Sequence, residues 1–103
     1  MIRHFVHLRF AKDATDADKQ ALYDQLAALV NQIDGVIDFQ HRTNVSVEIP
    51  LVRGFNDVFW FDFADISVRN AYLEASVHKA IGAQIVAHLE GGADGVFVCD
   101  VEV

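Results

Sequence analysis

A chain of 103 residues is long enough for one domain, and folding would bury roughly two-thirds of the surface that the unfolded chain exposes. Its formal net charge of −7 excludes the basic surface that nucleic-acid phosphates require, so we expect no nucleic-acid partner. No apolar run approaches the roughly 18 residues of a transmembrane helix and no signal-peptide segment opens the chain, which predicts no membrane partner and a cytoplasmic location.

Residues 2–10 alternate in a pattern that is typical of a β-strand. One predicted face carries Ile2, His4, Val6, Leu8 and Phe10, and the other carries Arg3, Phe5, His7 and Arg9. A helix is predicted to follow, beginning at the N-cap Thr15, which has Asp18 three residues on, and ending before Gly35. Its predicted buried stripe is Leu22, Leu26, Leu29 and Ile33.

Two further strands are predicted on either side of the connection VEIPLVRG, which holds the only proline. The segment VIDFQHRTNVS places Ile37, Phe39, His41 and Thr43 on one face. The segment FNDVFWFDF places Phe55, Asp57, Phe59, Phe61 and Phe63 on one face, and Asn56, Val58, Trp60 and Asp62 on the other. Helical sequence runs from about Ser67 to Glu90, and GGADG precedes a last strand, VFVCDVEV.

The resulting order, βαββαβ, predicts a single α+β domain over residues 1–103 with a ferredoxin-like fold. Both helices would cover one face of a four-stranded antiparallel sheet. The opposite face is also predicted to be apolar, through Phe5, Val58 and Trp60 together with alternate residues of the last strand. Because such a face must be shielded from water, we expect a homodimer in which two sheets pack face to face.

Metal and cofactor sites are not predicted. His4 and His7 point to opposite faces of their strand, and His78 and His88 would be about 15 Å apart along a continuous helix. Cys99 is the only cysteine, which excludes an intrachain disulfide and a four-thiolate iron–sulfur site, and it is predicted to be a small buried hydrophobe. We therefore expect neither a metal ion nor a cofactor.

Polar side chains on the helix-covered face of the sheet form one candidate site. His4 and Asp57 lie among apolar neighbours and would be costly to bury without partners. Because the first and third strands are central in this topology, we expect these two residues to be neighbours beneath the helices, where His41 and Asp100 can join them. The set predicts either a hydrogen-bonded structural group or the polar floor of a ligand pocket.

The segment AYLEASVHKA supplies a second candidate. On an unbroken helix Tyr72 and His78 would lie about 240° apart and could not share a site. If Ser76 caps a new helix, His78 falls at its second position, where the helix dipole favours a neutral imidazole that can accept a proton. Tyr72 would then donate a hydrogen bond to a substrate oxygen. Alternatively, Tyr72 is a packing residue and His78 belongs only to the cap region.

These segments resemble a known family. IRHFVHLRFAKDAT, GFNDVFWFDFAD and AYLEASVHKA, together with the helix that ends before IDGVIDFQ, are similar to the stress-responsive A/B barrel (Dabb) family over nearly the whole chain. The resemblance implies a ferredoxin-like protomer that pairs into a dimeric α/β barrel. It implies no single activity, because most members of the family have none assigned.

A plant polyketide cyclase of this family implies roles for individual residues. Its catalytic tyrosine and histidine correspond to Tyr72 and His78, and a histidine of its pocket corresponds to His4. Another pocket histidine and a pocket tyrosine of the cyclase fall at Asp57 and Leu26. The frequent His-Pro-x-His motif of the family is here ASVH, without the first histidine and the proline. These departures argue against the same substrate.

The sequence leaves three functions open. The first is a binder of, or a cofactor-free acid–base enzyme on, a small apolar oxygenated molecule, in the manner of the cyclase, with His78 as base and Tyr72 as hydrogen-bond donor. The residues predicted to surround the ligand are His4, Asp57, His41, Phe59 and Leu26. The second is a non-catalytic structural or stress-associated homodimer. The third is a haem-linked monooxygenase or a muconolactone-isomerase relative, for which the sequence has no haem-ligand signature.

Overall fold

The computed structural model describes residues 1–103 and contains four strands and four α-helices. The strands are β1 (Ile2–Leu8), β2 (Val36–Thr43), β3 (Asp57–Phe63) and β4 (Val96–Glu102). The helices are α1 (Asp16–Ala28), α2 (Ile49–Val52), α3 (Ile66–Glu74) and α4 (Ser76–Ala87), and Leu29–Asn31 and Gly92–Gly95 form 3₁₀ turns. The sheet is antiparallel in the order β2-β3-β1-β4, which confirms the ferredoxin-like α+β class and the central position of the first and third strands.

Helix α1 begins as the sequence predicts. The hydroxyl of Thr15 accepts from the backbone N–H of Asp18, and the Asp18 carboxylate accepts from the backbone N–H of Thr15. This reciprocal capping box satisfies two N–H groups that would otherwise have no partner within the helix. Leu22 and Leu26 of α1 and Leu29 of the following 3₁₀ turn are buried as predicted. The predicted helix end was wrong, because α1 ends at Ala28 and Ile33 lies beyond it, partly buried.

Strand β2 starts with an irregularity that changes which side chains face the helices. Val36 pairs with Phe63 and Asp38 pairs with Asp62, so that Ile37 is an extra residue in β2. Val36 is buried, whereas Ile37 is 53% exposed. The prediction that Ile37 shares the covered face was wrong, because strict alternation fails at a β-bulge.

Gly35 precedes this bulge and has a φ of +86°, which side chains other than that of glycine rarely tolerate. A Cβ atom at this position would also lie 2.4 Å from Cγ2 of Val68, in α3. The close approach lets the start of β2 run directly under α3.

The core lies between the sheet and the helices and is rich in aromatic rings. Phe61 and Phe63 are fully buried and Tyr72 is 1% exposed. The ring of Tyr72 lies 5.1 Å from the ring of Phe61 and 5.0 Å from that of Phe63, which are ordinary distances for interacting aromatic pairs. This cluster holds Tyr72 rigidly in the last turn of α3.

The outer face of the sheet, opposite the helices, carries the predicted apolar side chains beside an ion pair between Arg3 and Asp62. The ring of Phe5 lies 5.8 Å from that of Trp60, and the ring of His7 lies 5.5 Å from that of Phe97, which is 56% exposed. Cys99 pairs with Phe5 across this face and is half-buried rather than buried, because nothing covers it within one protomer. None of the helices is both long and apolar enough to cross a bilayer.

Candidate active site

The helical region breaks at Ala75, which has extended backbone angles of φ −63° and ψ 131° between α3 and α4. The backbone N–H of Ala75 donates to the carbonyl of Tyr72 as α3 ends, and its carbonyl accepts from Lys79 as α4 begins. The break that a shared site of Tyr72 and His78 requires is therefore present. The predicted cap was wrong by one residue, because Ala75 is the N-cap and makes no side-chain bond. His78 is therefore the third residue of α4 rather than the second.

The break brings Tyr72 and His78 together, with their ring centroids 4.2 Å apart. His78 is half-buried, and its Nδ1 lies 3.3 Å from the carbonyl oxygen of Leu73. Because a carbonyl oxygen only accepts, Nδ1 carries the proton in this contact and Nε2 keeps a free lone pair. No side-chain hydrogen bond of the chain involves the hydroxyl of Tyr72, and this atom is not among the buried polar atoms that lack a partner. Both polar atoms are therefore available to a ligand.

The surroundings of these two residues move their pKa values in opposite directions. Burial lowers the pKa of His78, against the opposing effect of the Leu73 carbonyl, and the nearby His4 and Lys79 lower it further. Burial raises the pKa of Tyr72 above its ordinary range. At neutral pH His78 is therefore a neutral imidazole that can accept a proton, and Tyr72 is a phenol that can donate a hydrogen bond.

A chain of three polar side chains, two from the sheet and one from α3, supports the site. Strands β1 and β4 pair His4 with Asp100, and Nδ1 of His4 lies 2.5 Å from Oδ1 of Asp100. Arg69, from α3, donates from Nη1 to the other carboxylate oxygen at 2.8 Å. Burial alone would raise the pKa of Asp100, but the hydrogen bonds from His4 and Arg69 hold it below its ordinary value. The ionised carboxylate fixes the ring of His4, whose centroid lies 5.8 Å from that of Tyr72.

Tyr72, His78, His4 and Asp100 border one cavity of about 260 Å³, which we call the first cavity. Five residues that the sequence placed at a ligand site line it, namely His4, Leu26, Phe59, Tyr72 and His78. Asp100 adds a polar group, and most of the remaining wall is aliphatic. Val98 of β4 and Val86 of α4 also line the cavity and are 51% and 37% exposed. The first cavity therefore opens between β4 and α4.

His41 and Asp57 do not border the first cavity. The strand register pairs Asp57 with Leu8 and places His4 opposite Phe61, so the predicted contact between His4 and Asp57 does not form. Asp57 instead lies 3.4 Å from Nζ of Lys19, and both predicted residues line a separate polar cavity. No group of three or more His, Cys, Asp or Glu side chains is arranged to hold a metal ion.

Sequence reasoning missed Arg69. An arginine on an exposed helix carries no signal by itself, since most such residues are solvated. The useful signal lies in β4, where Asp100 follows four apolar residues and requires a partner.

The fold and the site define a ferredoxin-like α+β protein with a small, mostly apolar cavity between its sheet and its helices. More particularly, the chain belongs to the family described as the Stress responsive A/B Barrel Domain (Dabb), whose family model matches residues 2–103.

Solved structures with the same fold cover nearly the whole chain. A dimeric ferredoxin-like protein of unknown function from Jannaschia sp. CCS1 is 26% identical, with a TM-score of 0.88 over 99% of this chain and 98% of that one. A protein from Arabidopsis thaliana is 22% identical, with a TM-score of 0.88 over 100% and 95% of the two chains. The hydroxynitrile lyase from Passiflora edulis is 12% identical, with a TM-score of 0.83 over 99% and 92%. No curated protein matches this chain.

Proposed function

We propose that this Dabb-family protein binds a small apolar, oxygenated molecule in the first cavity and performs cofactor-free acid–base chemistry on it. The observation that carries the proposal is the 4.2 Å approach of the Tyr72 and His78 rings in an otherwise largely aliphatic cavity. Apolar walls with a few convergent polar groups are the usual composition of a small-molecule site. Titratable side chains whose pKa values are pushed apart by their surroundings are the usual composition of an acid–base site.

His78 is the general base in this proposal. Its Nε2 would remove a proton from a hydroxyl group or from a carbon next to a carbonyl, and a neutral imidazole at neutral pH is suited to that step. Tyr72 would donate its hydrogen bond to the oxygen on which negative charge develops. His4, held by Asp100, closes the polar side of the cavity. A substrate with a carbonyl and an adjacent acidic proton, such as a polyketide-like or phenolic ketone, meets both requirements.

The size of the first cavity limits the substrate. Its volume of about 260 Å³ lies just below the range of about 300–1,000 Å³ that ligand pockets usually have. This favours a compound with a single ring. One structural neighbour is named as an enzyme, a hydroxynitrile lyase. This supports catalysis over a purely structural role.

The binding of 2,4-dihydroxyacetophenone, a single-ring phenolic ketone, tests the site. Titration followed by amide chemical shifts is expected to show saturable binding to the wild-type protein. The affinity should fall at least about tenfold in both His78→Ala and Tyr72→Phe, since each loses one hydrogen bond to the ligand. Lys12→Ala, at an exposed position outside the first cavity, is the control and should bind as the wild type does. Equal affinity in His78→Ala and the wild type would remove His78 from the site.

The alternative, a non-catalytic structural or stress-associated homodimer, is favoured by one observation. His4, Asp100 and Arg69 already satisfy one another through hydrogen bonds, as purely structural polar groups do. The free acceptor of His78 and the free hydroxyl of Tyr72 are not explained by that alternative, and we therefore prefer the acid–base proposal.

We also propose that two copies associate through the outer face of the sheet. Phe97 and Val101 on this face are 56% and 38% exposed, and structural neighbours from Jannaschia and Thermobifida are described as dimeric. Light scattering at micromolar concentration is expected to give twice the mass of one chain. Phe97→Glu should shift the protein to a monomer, because a carboxylate would be buried in the interface. Ala27→Glu, on the exposed side of α1, should leave the dimer unchanged. A wild-type protein that is strictly monomeric would contradict the proposal.

A further inference from the structure

A second cavity, of about 370 Å³, lies between the first half of α1 and the paired ends of β2 and β3. Its lining residues are polar apart from the ring of Tyr23, and none of them borders the first cavity. Asp16, Lys19 and Tyr23 of α1 contribute one wall, and His41 and Asp57 contribute another. The two residues that the sequence assigned to the first site thus belong to a distinct concave surface.

Tyr23 lines this cavity, and its hydroxyl is buried and has no hydrogen-bond partner. Tyr23 is only 6% exposed, and its ring stacks on that of His41 with a centroid distance of 4.1 Å and an angle of 13°. Burial, together with the carboxylate of Asp57, raises the pKa of Tyr23, so its hydroxyl stays protonated. Unpaired buried hydroxyls are costly and uncommon in folded proteins. The hydroxyl is therefore a donor that lacks an acceptor.

Two acidic and two basic side chains line the second cavity, namely Asp16, Asp57, Lys19 and Arg42. The carboxylates of Asp16 and Asp57 are opposed by one ammonium group, that of Lys19. Lys19 lies 3.4 Å from Asp57, beyond the usual N–H···O range of about 2.7–3.2 Å, and it also lies over the ring of Phe10. Arg42 borders the cavity as well, but its guanidinium lies 5.7 Å from the ring centroid of Trp60, on the outer face. The formal net charge of −7 adds a field that attracts cations.

We propose that the second cavity binds a small primary amine that also carries an oxygen acceptor, the chemistry shared by amino alcohols and amino acids. The ammonium group pairs with Asp16 and Asp57, and the oxygen accepts the hydrogen bond of the Tyr23 hydroxyl. An amino acid would in addition place its carboxylate against Lys19, which an amino alcohol does not do. The site is independent of Tyr72 and His78.

Four probes separate the parts of this proposal. Ethanolamine and glycine carry both groups, ethylamine lacks the oxygen, and ethylene glycol lacks the amine. In titrations of the full chain followed by amide chemical shifts, ethanolamine or glycine is expected to bind at least about tenfold more tightly than either incomplete probe. Tyr23→Phe should abolish the advantage over ethylamine, and Asp57→Asn should abolish the advantage over ethylene glycol. His78→Ala is the control from the first cavity and should change nothing.

The lysine distinguishes the two sources of the amine. If Lys19→Met weakens the binding of glycine but not that of ethanolamine, the site takes amino acids. If the substitution changes the binding of both probes equally, the site takes amino alcohols. The proposal is overturned if neither ethanolamine nor glycine binds at concentrations up to about 10 mM, or if binding survives both Tyr23→Phe and Asp57→Asn. Without ligand, Tyr23→Phe should leave the urea midpoint equal to or above that of the wild type. A lower midpoint would show that the hydroxyl already has a partner within the folded chain, and would also overturn it.

Discussion

Phe61→Ala is expected to lower the free energy of unfolding by about 3–5 kcal/mol, the usual cost of removing a fully buried aromatic ring. Phe61 has no exposed surface, and its ring lies 4.9 Å from that of Phe39, 5.1 Å from that of Tyr72 and 5.7 Å from that of Phe63. The substitution would leave a void at the centre of this aromatic cluster, where central strands hold the backbone too firmly to close it. Urea unfolding followed by circular dichroism measures the change.

Ile66→Ala is a suitable control for this prediction. Ile66 is 51% exposed at the start of α3, and its truncation should change the free energy of unfolding by no more than about 0.5 kcal/mol. Because the ring of Phe61 also supports Tyr72, the Phe61 variant should bind the phenolic ketone more weakly even where it remains folded. A loss of stability below about 1 kcal/mol would mean that the core closes around the missing ring, and the rigid support of Tyr72 would no longer hold.

The alternation of side chains was sufficient to predict this core. Phe59, Phe61 and Phe63 occupy every second position of β3, and the same pattern in β1 separates His4 from Phe5. A period of two identifies faces without any knowledge of neighbouring strands, which is why both the covered and the outer faces were predicted. It fails where the chain adds a residue, as at Ile37, because a bulge leaves no signal in the period.

The contacts between strands could not be predicted in the same way. Knowing that β1 and β3 are neighbours leaves their register open, and the structure pairs His4 with Phe61 rather than with Asp57. In this register Asp57 lies at the second cavity, and His4 has a different partner, Asp100. The helix break at Ala75 could be stated from the sequence only as a condition, because Tyr72 and His78 share a site only if the helix breaks between them.

The electrostatics of the two cavities differ for one physical reason. The first cavity is mostly apolar, and burial there lowers the pKa of His78. The one carboxylate in its lining, that of Asp100, is already bonded to His4 and Arg69. In the second cavity carboxylates lie beside the buried phenol of Tyr23. The first environment favours proton transfer to a neutral base, whereas the second favours binding of a cation.

His78→Ala is expected to reduce kcat for a substrate of the first cavity by about 10²–10⁴-fold, the usual contribution of a general base. Tyr72→Phe should reduce kcat by about 10²–10³-fold, as the loss of one donor to a developing oxyanion does. Lys12→Ala again serves as the control with unchanged kcat. A variant without His78 that keeps its kcat would refute the assignment of the base.

The pH dependence of the wild type tests the lowered pKa of His78 and can be measured without a substrate. Burial lowers the pKa of His78 below the ordinary histidine value of 6.5, so an NMR titration of the imidazole should find its midpoint on the acid side of that value. Between the two pKa values the unfolded chain binds more protons than the folded chain. The free energy of unfolding should therefore fall as the pH decreases through this window, and less steeply in His78→Ala.

Activity should persist into the same window and fall only as His78 itself is protonated. The raised pKa of Tyr72 keeps its phenol protonated at high pH, so no alkaline loss from this residue is expected below about pH 10. An imidazole midpoint above 6.5 would contradict both the buried environment of His78 and its role as a neutral base.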